Sequence, residues 1–546
     1  MVNDTGDIWL CYNGEVYGWG DDAAGLKSRG VVFRTRSDTE FILRGYEAWG
    51  LDRLLERLRG MFAFAILDRR TGKLHLARDR MGEKPLIYAH RPDGIAFGST
   101  VRAVLPWLPP DARGFDPQAL DAYLAHRYIP APRTVLGAIQ RLENSHLLSY
   151  DLITGRLDKR RYWQPVAKGR CTAKEALAEL SRAVELRTVA DRPLGAFLSG
   201  GIDSSCIASQ LAAGGHRDLC TFTAAFPGTS FDESAEAAEI AATLGLRNHA
   251  LAVPTTLDDA SFARIVADMD EPFADPSSFP TWFLARETVK SVPVVLGGDG
   301  GDEVFAGYKR HAKHLKRAWR GKLTLPIPSR ESLLSKGWAK IADEMSVCWL
   351  DAYSLRFSGF TPSQRRFLRG GCDLPQFQYW RQADHAESTP LKQMLAVDFA
   401  NTLPEYILRK GDLCTMAHGL ELRAPMLDHV WLEKLMGLPD ADRFTQPAKH
   451  LLARAMPKLA PLHLFNRKKR GFNPPLKAWL RSSLASRLHG MGGRLASLTH
   501  DQFDRARVNA FTRSYLDGRD ALAEQVLQLL ILDESLSQLT VLTKGS

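Results

Sequence analysis

Two apolar runs in this chain each end in a glycine-rich turn loaded with oxygen-bearing side chains. In PLGAFLSGGIDSS, residues 193–205, a short strand runs into Ser199-Gly200-Gly201 and a helix starts around Asp203-Ser204-Ser205. Adjacent glycines let successive backbone N–H groups converge on one point, and the helix N-terminus adds partial positive charge there. Such a loop is an anion cradle. It lacks the lysine and the spacing of a Walker loop, so a different nucleotide chemistry is implied. In VPVVLGGDGGDEVFAGY, residues 292–308, a second apolar strand ends in four glycines interleaved with Asp299, Asp302 and Glu303. Surface turns also use Gly and Asp, but carboxylates at the mouth of a buried strand are costly unless they hold a cation or take part in chemistry. Asp203 would repel phosphate unless a divalent cation lies between them. Sharing Mg2+ between Asp203 and Asp302 would neutralise a leaving pyrophosphate.

These loops sit in a chain whose pattern changes midway. Residues 1 to about 105 are strand-rich (DIWLCY, MFAFAILD, KLHLARD, PLIYAH, GIAFGS), with one amphipathic helix in TEFILRGYEAW. Asn13-Gly14 reads as a tight turn closing the first strand. The Pro- and Gly-rich LPWLPPDARGFDP reads as a linker, which puts a boundary near residue 110. After it, helices alternate with short apolar strands. That alternation predicts a parallel, doubly wound α/β sheet with ligands at the carboxyl ends of its strands.

A length of 546 residues implies two or three domains. Hydrophobic content of 45% and charged content of 25% are those of a soluble globular protein, and no apolar run reads as a membrane span. A cytoplasmic location and no membrane partner are therefore expected. The seven Cys are scattered and read as reduced thiols, and the 15 His show no metal-ligand spacing. Net charge +10 and the run KRHAKHLKRAWRGK (309–322) raise a nucleic-acid reading, but the run is read as a solvated helix face.

SGGIDSS, GGDGGDE, KGDLCTMAHGLELRAPMLD (410–428) and RKKRGF (467–472) together resemble the glutamine-dependent asparagine synthetases, and the likeness extends over nearly the whole chain. NGEVY, RSDTE and GMFAFAILD resemble that family's glutaminase half. The resemblance implies three parts. Residues 1–109 would be a partial glutamine amidotransferase domain of the N-terminal nucleophile, αββα type; 110–170 a connecting region; and 171–546 an ATP-pyrophosphatase-type synthetase domain. It further implies that aspartate attacks ATP to give β-aspartyl-AMP and pyrophosphate, and that ammonia then displaces AMP. Ser199, Gly200, Gly201, Asp203, Ser204 and Ser205 would cradle pyrophosphate, with Mg2+ on Asp203 and Asp302. Leu198, Gly297 and Gly298 match positions that present backbone to the nucleotide. Lys469 matches a lysine that stabilises charge on phosphorus. Asp299 stands where some relatives have Glu, in a position to handle protons, with Glu421 assisting. Being one methylene shorter, Asp299 leaves open a purely structural or metal-facing role.

In that family the glutaminase nucleophile is a Cys following the initiator Met; here position 2 is Val. The resemblance leaves a pocket remnant in which Asn13 and Gly14 match the oxyanion hole and Glu15 and Asp38 match glutamine ligands. Cys11 reads as a buried small thiol rather than a replacement nucleophile. Glutaminase activity is expected to be absent from the chain as written, with ammonia as nitrogen source. Three alternatives remain open: adenylation of another carboxylate (a sugar, peptide or β-lactam precursor), a tRNA-modifying protein of the same loop type, and an inactive interaction subunit. Partners are expected to be small molecules, with a homodimer left open.

Overall fold

The computed structural model describes every residue except 230, 326, 328–330, 335–336, 358, 373–376, 382–388, 468–473 and 545–546. Eight strands of the N-terminal half are β1 (Ile8–Val16), β2 (Gly60–Asp68), β3 (Lys73–Arg78), β4 (Ile87–Arg91), β5 (Gly94–Gly98), β6 (Gln140–Arg141), β7 (His146–Asp151) and β8 (Leu157–Arg161). They form two antiparallel sheets of order β1-β2-β3-β7-β8 and β5-β4-β6. Alternation along β2 sets the layers. Phe62, Phe64 and Ile66 face the helix Asp38–Trp49, while Ala63 and Ala65, with Leu148 of β7, face the second sheet through Leu86 and Tyr88. On the far side, Ile87 and Ala89 pack against the helix Pro117–His126 through Ala119, Leu120 and Tyr123. The result is the expected αββα stack.

Two local expectations differ. β1 does not turn at Asn13-Gly14; its register with β2 is continuous from Ile8↔Asp68 to Val16↔Gly60. A Cβ on Gly14 would lie 2.1 Å from the Met61 carbonyl oxygen, so this glycine serves close strand approach rather than chain reversal. Residues 110–170, read as a connector, contribute β6, β7 and β8 to these sheets. The expected linker is itself packed: Arg113 is buried and donates to Leu108 O at 2.9 Å and Thr543 O at 3.0 Å.

Beyond a capping box at Thr172 and Glu175 begins the second half. Its strands are β9 (Leu194–Phe197), β10 (Cys220–Ala225), β11 (Arg247–Ala252), β12 (Val294–Leu296) and β13 (Glu421–Arg423). All neighbours pair parallel, in the order β11-β10-β9-β12-β13. The chain winds from β9 outward to β10 and β11, then returns to the other flank at β12. That reversal makes the gap between β9 and β12 the topological switch point, where ligands of such sheets bind. The helix Ala523–Lys544 closes the chain. Residues 520–543 are long and apolar enough to cross a membrane, which the sequence reading missed. In the fold, Val526, Leu529, Leu532 and Leu536 of this helix are buried in the largest hydrophobic core.

A buried ionic seam joins the two halves. Glu405, in the π-helical turn Leu403–Leu408, accepts from Arg78 and Arg141, each at 3.0 Å. Arg141 also pairs with Glu271, which pairs with Arg409 at 3.0 Å. Four arginines, Arg78, Arg141, Arg381 and Arg409, overcome the cost of burial and hold the Glu405 carboxyl down to about 2. Asp428 of the second half takes Arg59 of the first at 2.8 Å and Arg187 at 2.9 Å. Removing one member of such a cluster leaves buried cations uncompensated. Glu405→Ala is accordingly expected to destabilise the protein by about 3–5 kcal/mol, read as a lower urea midpoint.

Candidate functional site

The two glycine-rich loops follow β9 and β12, neighbouring strands, so the sheet brings them face to face. The first is braced internally. Ser204 Oγ accepts from Ser199 N at 3.1 Å, Ser199 Oγ accepts from Gly201 N at 3.1 Å, and Ser205 Oγ donates to Gly201 O at 2.7 Å. Gly201 precedes the helix Ile202–Ala213 and supplies no side-chain cap, which leaves the leading N–H groups facing the loop. Leu198, just before it, is anchored by its N–H to Phe222 O at 2.9 Å.

The second loop fits against the first only because it is made of glycine. A Cβ on Gly298 would sit 2.7 Å from Ser204 N, one on Gly301 would sit 2.2 Å from Asp203 Oδ1, and one on Gly307 would sit 2.2 Å from Asp302 Oδ1. Gly297 donates its N–H to Arg423 O at 2.9 Å, tying the loop to β13. Asp203 and Asp302 thus converge across the switch point as predicted, and what stands between them is Lys449. Its Nζ pairs with Asp203 Oδ2 and lies 2.6 Å from Asp302 Oδ1. Burial by itself would lower the Lys449 pKa, but the two carboxylates hold it well above the usual lysine range. The sequence reading missed this residue.

The pair fits a Mg2+ ion. Two carboxylates, held in a cradle that a Cβ would fill, are the donor set Mg2+ takes when substrate phosphates and water complete its shell. Among the described residues no group of three or more His, Cys, Asp or Glu gathers into an all-protein metal cage.

Asp299 sits beside this pair. Burial raises its carboxyl pKa, Lys410 opposes the rise, and Asp203 adds to it. Lys410, from the KGD stretch, reaches Ser277 Oγ at 3.0 Å and Asp275 at 3.4 Å. The loop DEPFADPSSFPT, residues 270–281, therefore positions the lysine that faces Asp299. Glu303, next to Asp302, is buried and accepts from the Tyr308 hydroxyl at 2.6 Å; burial and the Asp302 charge push its pKa up to about 7.

Glu421 does not join Asp299. It pairs with Val294 at the amino end of β13, whereas Asp299 follows the carboxyl end of β12. Its carboxylate accepts from Arg423 at 2.6 Å, and Arg423 lies 3.8 Å from Glu15 of the N-terminal half. Lys469 lies outside the described residues.

The pocket-remnant residues are gathered on β1 and the helix Asp38–Trp49. Asp38 accepts from Tyr12 Oη at 2.7 Å and Val16 N at 3.0 Å, and the Asn13 amide reaches Ser99 Oγ at 3.5 Å. Cys11 is exposed, not buried as expected, because it falls on the strand face opposite Ile8, Leu10 and the helix-facing core. Burial, helped by Asp38, pushes the Glu15 carboxyl up to about 7.

A doubly wound sheet carrying glycine- and aspartate-rich loops at its switch point, joined to an αββα stack, is the layout of an ATP-using synthetase domain beside a glutamine amidotransferase-type domain. The asparagine synthase family profile matches residues 175–538, and a glutamine amidotransferase domain profile matches residues 1–163. The chain is 35% identical over 510 residues to a Mycobacterium tuberculosis protein provisionally named a glutamine-hydrolyzing asparagine synthetase, covering 87% of this chain and 76% of that one. It is 31% identical over 501 residues to glutamine-hydrolyzing asparagine synthetase 1 of Bacillus subtilis, covering 87% and 77%. A solved structure, the glutamine phosphoribosylpyrophosphate amidotransferase of B. subtilis, overlaps 58% of this chain and 59% of its own at 13% identity and a TM-score of 0.22, too slight to add support. The chain belongs to the asparagine synthase family, whose members are carbon–nitrogen ligases that use ATP.

Two measurements test this electrostatic layout. Lys449→Met is expected to cost about 3–5 kcal/mol in denaturant unfolding without Mg2+, because two carboxylates lose their shared cation. Adding Asp203→Asn in the same chain should recover part of that loss. For Glu15, a folded pKa of about 7 against the ordinary 4.5 means that its contribution to stability is present below 4.5 and is lost as pH rises through 7. Melting temperatures at pH 5 and pH 8 should therefore fall more steeply in the parent than in Glu15→Gln.

Proposed function

We propose that this chain converts aspartate to asparagine with ATP, taking nitrogen from ammonia. The observation that carries this reading is the meeting of Asp203 and Asp302 around Lys449, between two glycine-rich loops at a switch point. A carboxylate oxygen does not depart unaided. The β-carboxylate of aspartate attacks the α-phosphorus of ATP, the bond to the bridging oxygen breaks, and pyrophosphate leaves. Ammonia then adds its lone pair to the acyl carbon, AMP leaves with the former carboxylate oxygen, and the nitrogen sheds a proton.

In this reading Ser199, Gly200, Gly201, Ser204 and Ser205 receive the pyrophosphate, while Leu198, Gly297 and Gly298 present backbone to the nucleotide. Asp203 and Asp302 would hold Mg2+, which supplies positive charge to the phosphate oxygens. Lys449 keeps the two carboxylates together and adds a second positive charge beside the leaving group. Asp299, with its raised pKa, takes the proton shed by nitrogen, and Lys410 orients it. Lys469 keeps the phosphorus-facing role that the resemblance implies.

Ammonia as the nitrogen source is part of the same proposal. Cys11, within β1, has no α-amine of its own to serve as base. Purified chain supplied with ATP, Mg2+ and aspartate is expected to release pyrophosphate and form asparagine with ammonium but not with glutamine. Asparagine from glutamine would overturn the nitrogen assignment; pyrophosphate release with another carboxylic acid but not aspartate would overturn the acceptor.

A further inference from the structure

The helix Gly337–Met345 is inside out. Its acids, Asp343 and Glu344, are buried, while Trp338 is 73% exposed and Ile341 and Lys340 face water. The acids have a fold-level use. Asp343 accepts from Ser363 Oγ at 2.6 Å, and Glu344 gathers Arg317, Arg356 and Arg320. The apolar residues have no such use, and neighbouring segments extend them. Leu325 N donates to Met345 O at 2.9 Å, which lays an exposed stretch against the helix end, and Gly321 O accepts from Trp349 N at 3.0 Å. That stretch exposes Leu323 and Leu325, and Trp319 just before it is 77% exposed. In the same stretches of chain Lys309, Lys313, Lys316, Lys322 and Lys340 are exposed, and no salt bridge engages them among the described residues.

We propose that this face docks on an anionic lipid bilayer. Exposed indoles and aliphatic side chains gain by entering the headgroup boundary, and a ring of lysines gains from a negative surface. Of the arginines in the same run, Arg317 and Arg320 are spent on Glu344 and Arg310 on Asp398, so the outward charge is carried chiefly by lysine. Lysine is depleted at protein–protein interfaces, where arginine is favoured, and is used at membrane surfaces. Charge complementarity also argues against a second copy, whose matching face would repel this one. Leu323, Leu325 and Ile341 have no π-face on which a nucleobase stacks, so the surface suits lipid better than RNA.

The test is sedimentation of the full chain with vesicles of phosphatidylcholine alone or with added phosphatidylglycerol. Association is expected only with the anionic vesicles, and added salt should weaken it. The triple variant Trp319→Ser, Trp338→Ser, Ile341→Ser should lower vesicle affinity on the order of tenfold or more. Lys313→Gln, Lys316→Gln, Lys322→Gln should reduce its salt dependence. Both variants alter exposed side chains, so unchanged melting curves confirm that any loss is local whether or not the proposed reaction is observed. No association with anionic vesicles at low salt would overturn the proposal. It would also be overturned by binding that the triple variant retains, by a dimer in sedimentation velocity that the triple variant splits, or by single-stranded RNA affinity exceeding vesicle affinity and lost in the lysine variant.

Discussion

Lys449 resolves a conflict that the two loops create. Asp203 and Asp302 come from different strands, and the glycines that allow their approach also bring like charges together with little water between them. Unscreened, that repulsion would open the switch point. A single ammonium, itself buried, lets the loops close and leaves the carboxylates poised toward the anion cradle of Ser199–Ser205.

The rest of the molecule holds those loops in place. β12 is fixed between β9 and β13, and Arg423 O of β13 receives the N–H of Gly297 at the loop's root. Arg423 also contacts Glu421 and Glu15 through its guanidinium, so one residue meets the second glycine-rich loop through its backbone and the N-terminal half through its side chain. The helix Arg409–Met416 spans the same gap: Arg409 enters the Glu271 cluster of the ionic seam while Lys410, one residue on, faces Asp299. The αββα stack is thus part of the synthetase site's foundation.

What the sequence made legible was local. The anion cradle and the acidic turn each lie within about a dozen residues, and the strand–loop–helix context is readable from period and glycine alone. The doubly wound architecture was legible for the same reason, whereas the αββα stack was expected from the family resemblance. Lys449 was not, because its partner Asp203 is 246 residues away and nothing in QPAKHLLAR marks the lysine as buried. Asn13-Gly14 was misread because a glycine required by a neighbouring strand looks, in one dimension, like a glycine required by a turn. Glu421 and Asp299 were grouped by chemistry, but the direction of two parallel strands sets them apart.

The inverted helix Gly337–Met345 marks the limit of periodicity as a guide. In GWAKIADEM a hydrophobic stripe predicts an inward Trp338 and Ile341, yet three arginines on Glu344 and a serine on Asp343 outweigh that preference and turn the helix over. Burying an acid is costly unless charge-assisted partners await it, and here they do. A solvated surface normally spreads its large apolar groups singly, so two exposed indoles and three exposed aliphatic side chains between residues 319 and 341 keep a cost that no contact among the described residues recovers. The compensation has to come from whatever covers that face, and its composition specifies something apolar beneath and negative at the rim.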